Sequence, residues 1–181
     1  IAPTQADDIK DFQIEGISVG DNLFDHLTIL GETKKSIKSR ELFYFPGSKK
    51  FVGISFAKYV KLDTYEAIQF SINPETYQIA NIGGKIREPY KNNIQKCYKK
   101  MEEIYSELKK TFPNASKTRG SEKKHEYNKK AKVKTHILKI KGGQITIRCT
   151  DWPEETKIKD GLVLTIGSQE YYQWIDNEAF K

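Results

Sequence analysis

Two cysteines, three histidines and an acid-rich opening are the side chains whose types could do chemistry in this 181-residue chain. Nucleophilic and metal chemistry need such groups at set spacings, because attack or coordination is a matter of mutual geometry. His26, His125 and His136 stand in no catalytic spacing with a Ser, a Cys or a carboxylate. A hydrolytic site would have to be assembled in three dimensions. Cys97 and Cys149 form neither a C-x-x-C pair nor a Cys/His spacing suited to zinc. Asp7, Asp8, Asp11, Glu15, Asp21 and Asp25 lack the D-x-[DN]-x-[DN]-G pattern of a calcium loop, and helix capping and solubility account for them more simply. The G-x-G-x-x-G turn and the lysine-bearing phosphate loop are absent, so neither a nucleotide, a cofactor nor a metal is implied.

The two cysteines leave two roles open. An even pair is what one disulfide needs, and an exported protein would form it; two buried thiols in a reducing compartment are the alternative. A bridge would close a loop spanning 52 positions.

Charge points to a binding surface. The chain carries 31 Lys and Arg against 24 Asp and Glu, a net charge of +7. Most of the excess lies between Ser116 and Lys134, where Lys117, Arg119, Lys123, Lys124, Lys129, Lys130, Lys132 and Lys134 face only Glu122 and Glu126. With His125 and Tyr127 among them, these cations can attract a polyanion such as an acidic polysaccharide or a lipid headgroup. The plainer role is a loop or mobile hairpin solvated by its own charge. A nucleic-acid partner is disfavoured, because aromatic interleaving stops at Tyr127. Trp152, Tyr171 and Trp174 can likewise offer a partner surface or complete a small core. No apolar run approaches a membrane span, and Asn114-Ala115-Ser116 fits a glycosylation sequon.

The elements that must position these groups follow from periodicity. Phe12 to Val19 alternates like one short strand, and Asp21 caps a short helix that ends at Gly31. Ser36 to Arg40 is a polar linker. Leu42–Phe45 and Phe51–Phe56 form a hairpin about Pro46-Gly47-Ser48, and Ala67–Ile72 pairs with Tyr77–Ile82, with a bulge at Gly83-Gly84. From about Asn92 to Thr111, Ile94, Cys97, Met101, Ile104, Tyr105 and Leu108 recur at steps of three and four and mark one helical face. Gly142-Gly143 joins two further strands, and the second of them carries Ile145, Ile147 and Cys149 on one side. Leu162–Ile166 is another strand, and Ser168 caps a last short helix. The fold class is α+β: an antiparallel sheet of hairpins covered on one face by a long amphipathic helix, with short helices near both ends. Residues 1–181 read as a single domain, with 1–8 a flexible lead and 116–133 the basic loop or mobile hairpin.

Three segments carry a resemblance: Asp8-Ile9-Lys10-Asp11-Phe12-Gln13-Ile14-Glu15-Gly16-Ile17-Ser18-Val19-Gly20-Asp21, Asn93-Ile94-Gln95-Lys96-Cys97-Tyr98-Lys99-Lys100, and Cys149-Thr150-Asp151-Trp152. In this order they resemble small exported proteins of marine alphaproteobacteria that carry no assigned function. The resemblance implies a signal peptide upstream, a periplasmic or envelope location and a Cys97–Cys149 bridge, and no activity. The small residues Thr4 and Ala6 before Asp7-Asp8 agree with such processing. Gly16 to Asp21 is also faintly similar to the start of small envelope-assembly lipoproteins, although no lipid-bearing Cys stands near the N-terminus. The expectation is an exported accessory or binding protein, partnered by an envelope protein or an anionic ligand. Polyanion binding through 116–134 and a hydrolase are the alternatives.

Overall fold

The computed structural model describes residues 8–57, 60–125 and 128–181. The lead before Asp8, and Glu126 and Tyr127 of the basic stretch, lie outside the described residues. In chain order the elements are β1 (Gln13–Ile14), β2 (Ile17–Ser18), α1 (Leu27–Leu30), α2 (Lys34–Lys38), β3 (Phe43–Tyr44), β4 (Val52–Phe56), β5 (Ala67–Ile72), β6 (Ile79–Ile86), α3 (Ile94–Thr111), β7 (Ser116–Arg119), β8 (Lys123–Lys124), β9 (Lys132–Ile140), β10 (Gly143–Asp151), β11 (Gly161–Ser168) and α4 (Gln169–Asn177). Short 3-10 turns precede β1, α1, α3 and β11.

One large sheet runs in the order β3-β4-β5-β6-β11-β10-β9-β7, with β8 also on β9, and every pairing in it is antiparallel. Because successive side chains point to opposite faces, the register sorts the sheet into two surfaces. Ile54 opposes Phe70, which opposes Ile82, which opposes Ile166, which opposes Ile145, which opposes Leu138. All six are buried and belong to one core. α3 lies over the β9–β11 part of this face, and Ile9, Ile14, Ile17, Leu23, Leu30 and Ile37 from the first forty residues join the same core. α4 packs on the other face, against β6, β10 and β11, where Tyr171 and Trp174 meet Phe51, Ala80 and Ala179.

The long helix forms where its periodicity predicts. Asn93 caps it by accepting from the Lys96 N–H, and Cys97, Met101, Tyr105 and Leu108 are its buried stripe. Cys97 is bonded to Cys149, with Cα atoms 6.1 Å apart and both residues fully buried. Among the described residues no helix is long and apolar enough to cross a membrane.

Several elements differ from the sequence reading for local reasons. The alternating segment Phe12–Val19 is a tiny hairpin, because Glu15 (φ 54°) and Gly16 (φ 76°) turn the chain between β1 and β2. The cap of the following 3-10 turn is Asn22; Asp21 instead accepts from the Ser18 N–H and bonds His26. The supposed linker is α2, opened by Thr33 and Ser36 in a capping box and anchored by buried Ile37. Gly83 and Gly84 sit inside an unbroken strand, and the register shift falls at Ser71/Ile72. Gly84 is where the ring of Tyr65 packs: a Cβ there would meet that ring at 2.5 Å.

Replacing both Cys97 and Cys149 by Ser is expected to remove roughly 4 kcal/mol by the chain-entropy estimate for such a loop. Thermal unfolding followed by circular dichroism should show the midpoint fall by about 10 °C for a domain of this size. An unchanged midpoint would show that α3 needs no covalent anchor.

Candidate functional site

The face of the sheet opposite α3 is only partly covered, and the uncovered part is a concave groove of about 620 Å³. The register builds its floor in three rows. Lys85, Val163 and Arg148 oppose one another across β6, β11 and β10. Two residues along come Gln69, Gly83, Thr165 and Thr146, and two further Ser71, Asn81, Gly167 and Gln144. Adjacent strands lie ~4.8 Å apart and alternate residues ~6.8 Å apart, so Lys85 and Arg148 rise about 10 Å from one another. Tyr171, Tyr172 and Ile175 of α4, with Phe43, Phe45 and Phe180, form the wall beside the third row.

Each row has its own chemistry. Among the described residues no carboxylate lies within ion-pair distance of Lys85 or Arg148. Burial lowers the Lys85 pKa from 10.5, and its two electrostatic neighbours, Arg87 and Arg148, lower it further. The middle row is open above Gly83, where a Cβ would find only Thr165 Oγ1 at 3.6 Å and the Gln69 carbonyl oxygen at 3.9 Å. In the third row Asn81 is 8% exposed and its Oδ1 is buried with no hydrogen-bond partner. Tyr171 and Ser71 hydroxyls lie 3.2 Å apart, and those of Tyr172 and Thr146 lie 3.4 Å apart. Burial pushes the Tyr172 phenol up to about 12, so it stays protonated at physiological pH. Beyond Lys85 and Arg148 the floor continues into a smaller recess with Arg87, Trp152 and His125, whose rings are 4.8 Å apart.

Of the aromatic residues singled out from sequence, Tyr171 edges the groove, Trp152 lines the smaller recess, and Trp174 lines neither. Tyr171 (8% exposed) and Trp174 (1% exposed) do not offer a partner surface. They are the core beneath α4, because its amphipathic stripe needs something to pack on the sheet, and only an edge of Tyr171 reaches the groove. Trp152 is half-buried in the smaller recess.

The basic stretch is structured where a loop or mobile hairpin is expected, since residues 116–119 and 123–124 pair with β9. Much of its charge is neutralised. Arg119 and Lys134 pair with Glu102, Lys132 with Glu122, and Lys130 with Glu155. Lys117 donates to the Pro113 carbonyl, while Lys123 and Lys124 are exposed. Lys129 sits in the turn after Asn128.

Sequence spacing also conceals a contact between α3 and β9. His136 is fully buried, its Nε2 is 2.9 Å from Glu102 Oε1, and its Nδ1 accepts from the Gly120 N–H at 3.2 Å. Accepting at Nδ1 puts the proton on Nε2, which therefore donates to Glu102. Fully buried and bonded at both ring nitrogens, this imidazole ties the helix to the sheet. Among the described residues the acids of the opening segment serve the backbone: Asp8 and Asp11 form a capping box, and Glu15 accepts from the N–H groups of Asp63, Thr64 and Tyr65. No group of three potential metal ligands is found among them.

Comparison of the chain with protein-family models, with curated proteins and with solved structures finds no match.

The Glu102 contact gives a pH prediction. Burial raises its carboxyl, but hydrogen bonds from His136 and Lys134 and the charge of Arg119 outweigh it, so its pKa lies below 4.5. A carboxylate depressed on folding stabilises the fold at pH above the unfolded value, and that contribution is lost as pH falls through the folded value. In acid titrations of stability, Glu102→Gln should therefore be less stable than the parent at neutral pH and converge with it well below pH 4.5. Parallel curves at all pH values would remove the ionised carboxylate from the account.

Proposed function

We propose that the protein is an exported binding protein, periplasmic or secreted, that takes an anionic ligand in the groove on the open face of its sheet. The observation that carries this is the pair Lys85 and Arg148, two cations of one cross-strand row that face the groove with no carboxylate in ion-pair reach among the described residues. Placing unpaired positive charge on a partly enclosed surface costs stability, and an anion recovers it. Among the described residues the groove is lined by Lys, Arg, hydroxyl and amide groups and by aromatic and aliphatic side chains, a mixture suited to holding a charged polar ligand. The bridged Cys97–Cys149 pair supports an oxidising compartment. So does the resemblance to small exported alphaproteobacterial proteins. Mass analysis of native material without reductant should find the bridge intact and a leader removed ahead of this sequence.

A second reading, polyanion binding through the basic stretch, is favoured by Lys123 and Lys124, which project from the sheet edge without an ion pair among the described residues. Amide chemical-shift mapping with citrate, a compact trianion, separates the two. Shifts are expected at 83–85, 146–148 and 163–165, and Lys123→Ala/Lys124→Ala should leave them unchanged. Gly83→Ile should abolish them with the fold retained, because a Cβ there makes only ordinary contacts, with Thr165 Oγ1 at 3.6 Å and the Gln69 carbonyl oxygen at 3.9 Å, at a strand position that favours β-branching. Affinity should also fall as pH rises, starting below the ordinary lysine value of 10.5, as Lys85 loses its proton. Shifts confined to 117–132 would move the site to the basic stretch.

A further inference from the structure

The floor and walls of the groove say more about the ligand than its charge. This inference rests on the groove being the binding site, and it deepens that reading. A sheet face has already spent its backbone N–H and C=O groups in the ladder, so a ligand lying on it is read by side chains alone. An extended peptide, which binds through main-chain hydrogen bonds at a sheet edge, has nothing to pair with here. An acyl chain needs a continuous apolar trough. In the two rows beyond the cations, Gln69, Gly83, Thr165, Thr146 and Ile137, then Ser71, Asn81 and Gln144, hydroxyl and amide groups interrupt the apolar side chains, so no continuous trough runs along the floor.

Three details sharpen this picture. Asn81 lines the groove while its Oδ1 is buried against Gly167 without a hydrogen-bond partner, so its amide gains a hydrogen bond by turning toward a ligand. Gly83 clears the middle of the floor so that a ring can lie flat on the strands. The phenol of Tyr172 stands at the margin of that clearing, hydrogen-bonded to Thr146, and offers a ring edge and a protonated hydroxyl together. Many hydroxyl partners, an aromatic wall and a cationic end describe a hydroxylated ring that bears a negative group. The cavity of about 620 Å³ is large enough for a short oligomer.

We propose that the groove binds an acidic saccharide, with its carboxylate held between Lys85 and Arg148 and its hydroxylated ring seated over Gly83 between Thr165, Asn81 and Tyr172. The smaller recess behind Arg148, walled by Trp152, extends the same surface and gives the next sugar unit of a chain somewhere to go.

The test is titration of the disulfide-intact protein, by calorimetry and by tyrosine and tryptophan fluorescence, with four probes: trigalacturonic acid, the neutral trisaccharide maltotriose, decanoate and inorganic phosphate. Trigalacturonic acid is expected to saturate the protein and to bind at least tenfold more tightly than any of the others. Lys85→Ala and Arg148→Ala should each weaken it at least tenfold. Thr165→Val, which removes one hydroxyl and keeps the shape, should weaken the trisaccharide several-fold and leave phosphate unchanged. Gly83→Ile should eliminate binding while the circular dichroism spectrum is retained. Tightest binding of decanoate or phosphate, lost in Lys85→Ala, would overturn the saccharide assignment and leave the anion-binding groove standing. Binding of trigalacturonic acid that ignores Gly83→Ile, or no binding of any probe, would overturn both.

Discussion

The packing of α3 on β9, β10 and β11, pinned by the Cys97–Cys149 bond, decides which face of the sheet is core and so which face is left to meet a ligand. Strand pleating turns that choice into a residue-by-residue sorting. Cys149 and Ile147 lie under the helix, and Arg148 between them must point away. Gly84 accommodates Tyr65 on the closed side, and Gly83 and Lys85 on either side of it face the groove. A slip of one residue between β10 and β11 would bury Arg148 beneath α3 and bring Ile147 to the surface, at the cost of an unpaired charge and a lost core contact. The core and the open groove are therefore two consequences of one register.

Charge follows the same division. The cations of β7, β9 and the turn before β9 are held by Glu102, Glu122 and Glu155, so the most basic part of the sequence is locally compensated. Burial raises the Glu102 carboxyl pKa, but its hydrogen bonds and charged neighbours favour ionisation more strongly, which makes this cluster a fastening between α3, β7 and β9. Lys85 and Arg148, by contrast, come from strands whose sequences look ordinary in charge, and among the described residues no carboxylate pairs with them.

That contrast explains what the sequence could and could not reveal. Helix α3 was legible because Cys97, Met101, Tyr105 and Leu108 repeat with the helical period, and the β9–β10 hairpin from the glycines between two alternating runs, although the turn is Lys141-Gly142, with Gly142 at φ 78°, and Gly143 already pairs with Ile140. Strand β5 was legible to its ends from the alternation of Ile68, Phe70 and Ile72. The basic block was legible as composition, but its pairing to β9 and its neutralisation depend on Glu102 and Glu155, which are remote in the chain. The groove was not legible. Lys85 and Arg148 are 63 positions apart in number and meet only because β11 inserts between β6 and β10, an order that no local period encodes. The one signal available was Gly83 within a strand, which can mark a site where something approaches the backbone closely.

The order β6-β11-β10 also sets what the groove can select. Because β11 joins the sheet last and is followed at once by α4, the chain that completes the floor also builds the wall beside it. Thr165 and Val163 on the floor are only a few residues from Tyr171 and Tyr172 on the wall, and Ser168 fixes the angle between them by capping the helix through the Tyr171 N–H. Floor and wall thus keep a fixed relation independent of the longer loops. A rigid corner of this kind rejects ligands by shape before charge is consulted, while the two cations attract anions of many shapes from solution. On the proposed binding role, selectivity would reside in the hydroxyl-bearing rows and the tyrosines, and attraction in Lys85 and Arg148.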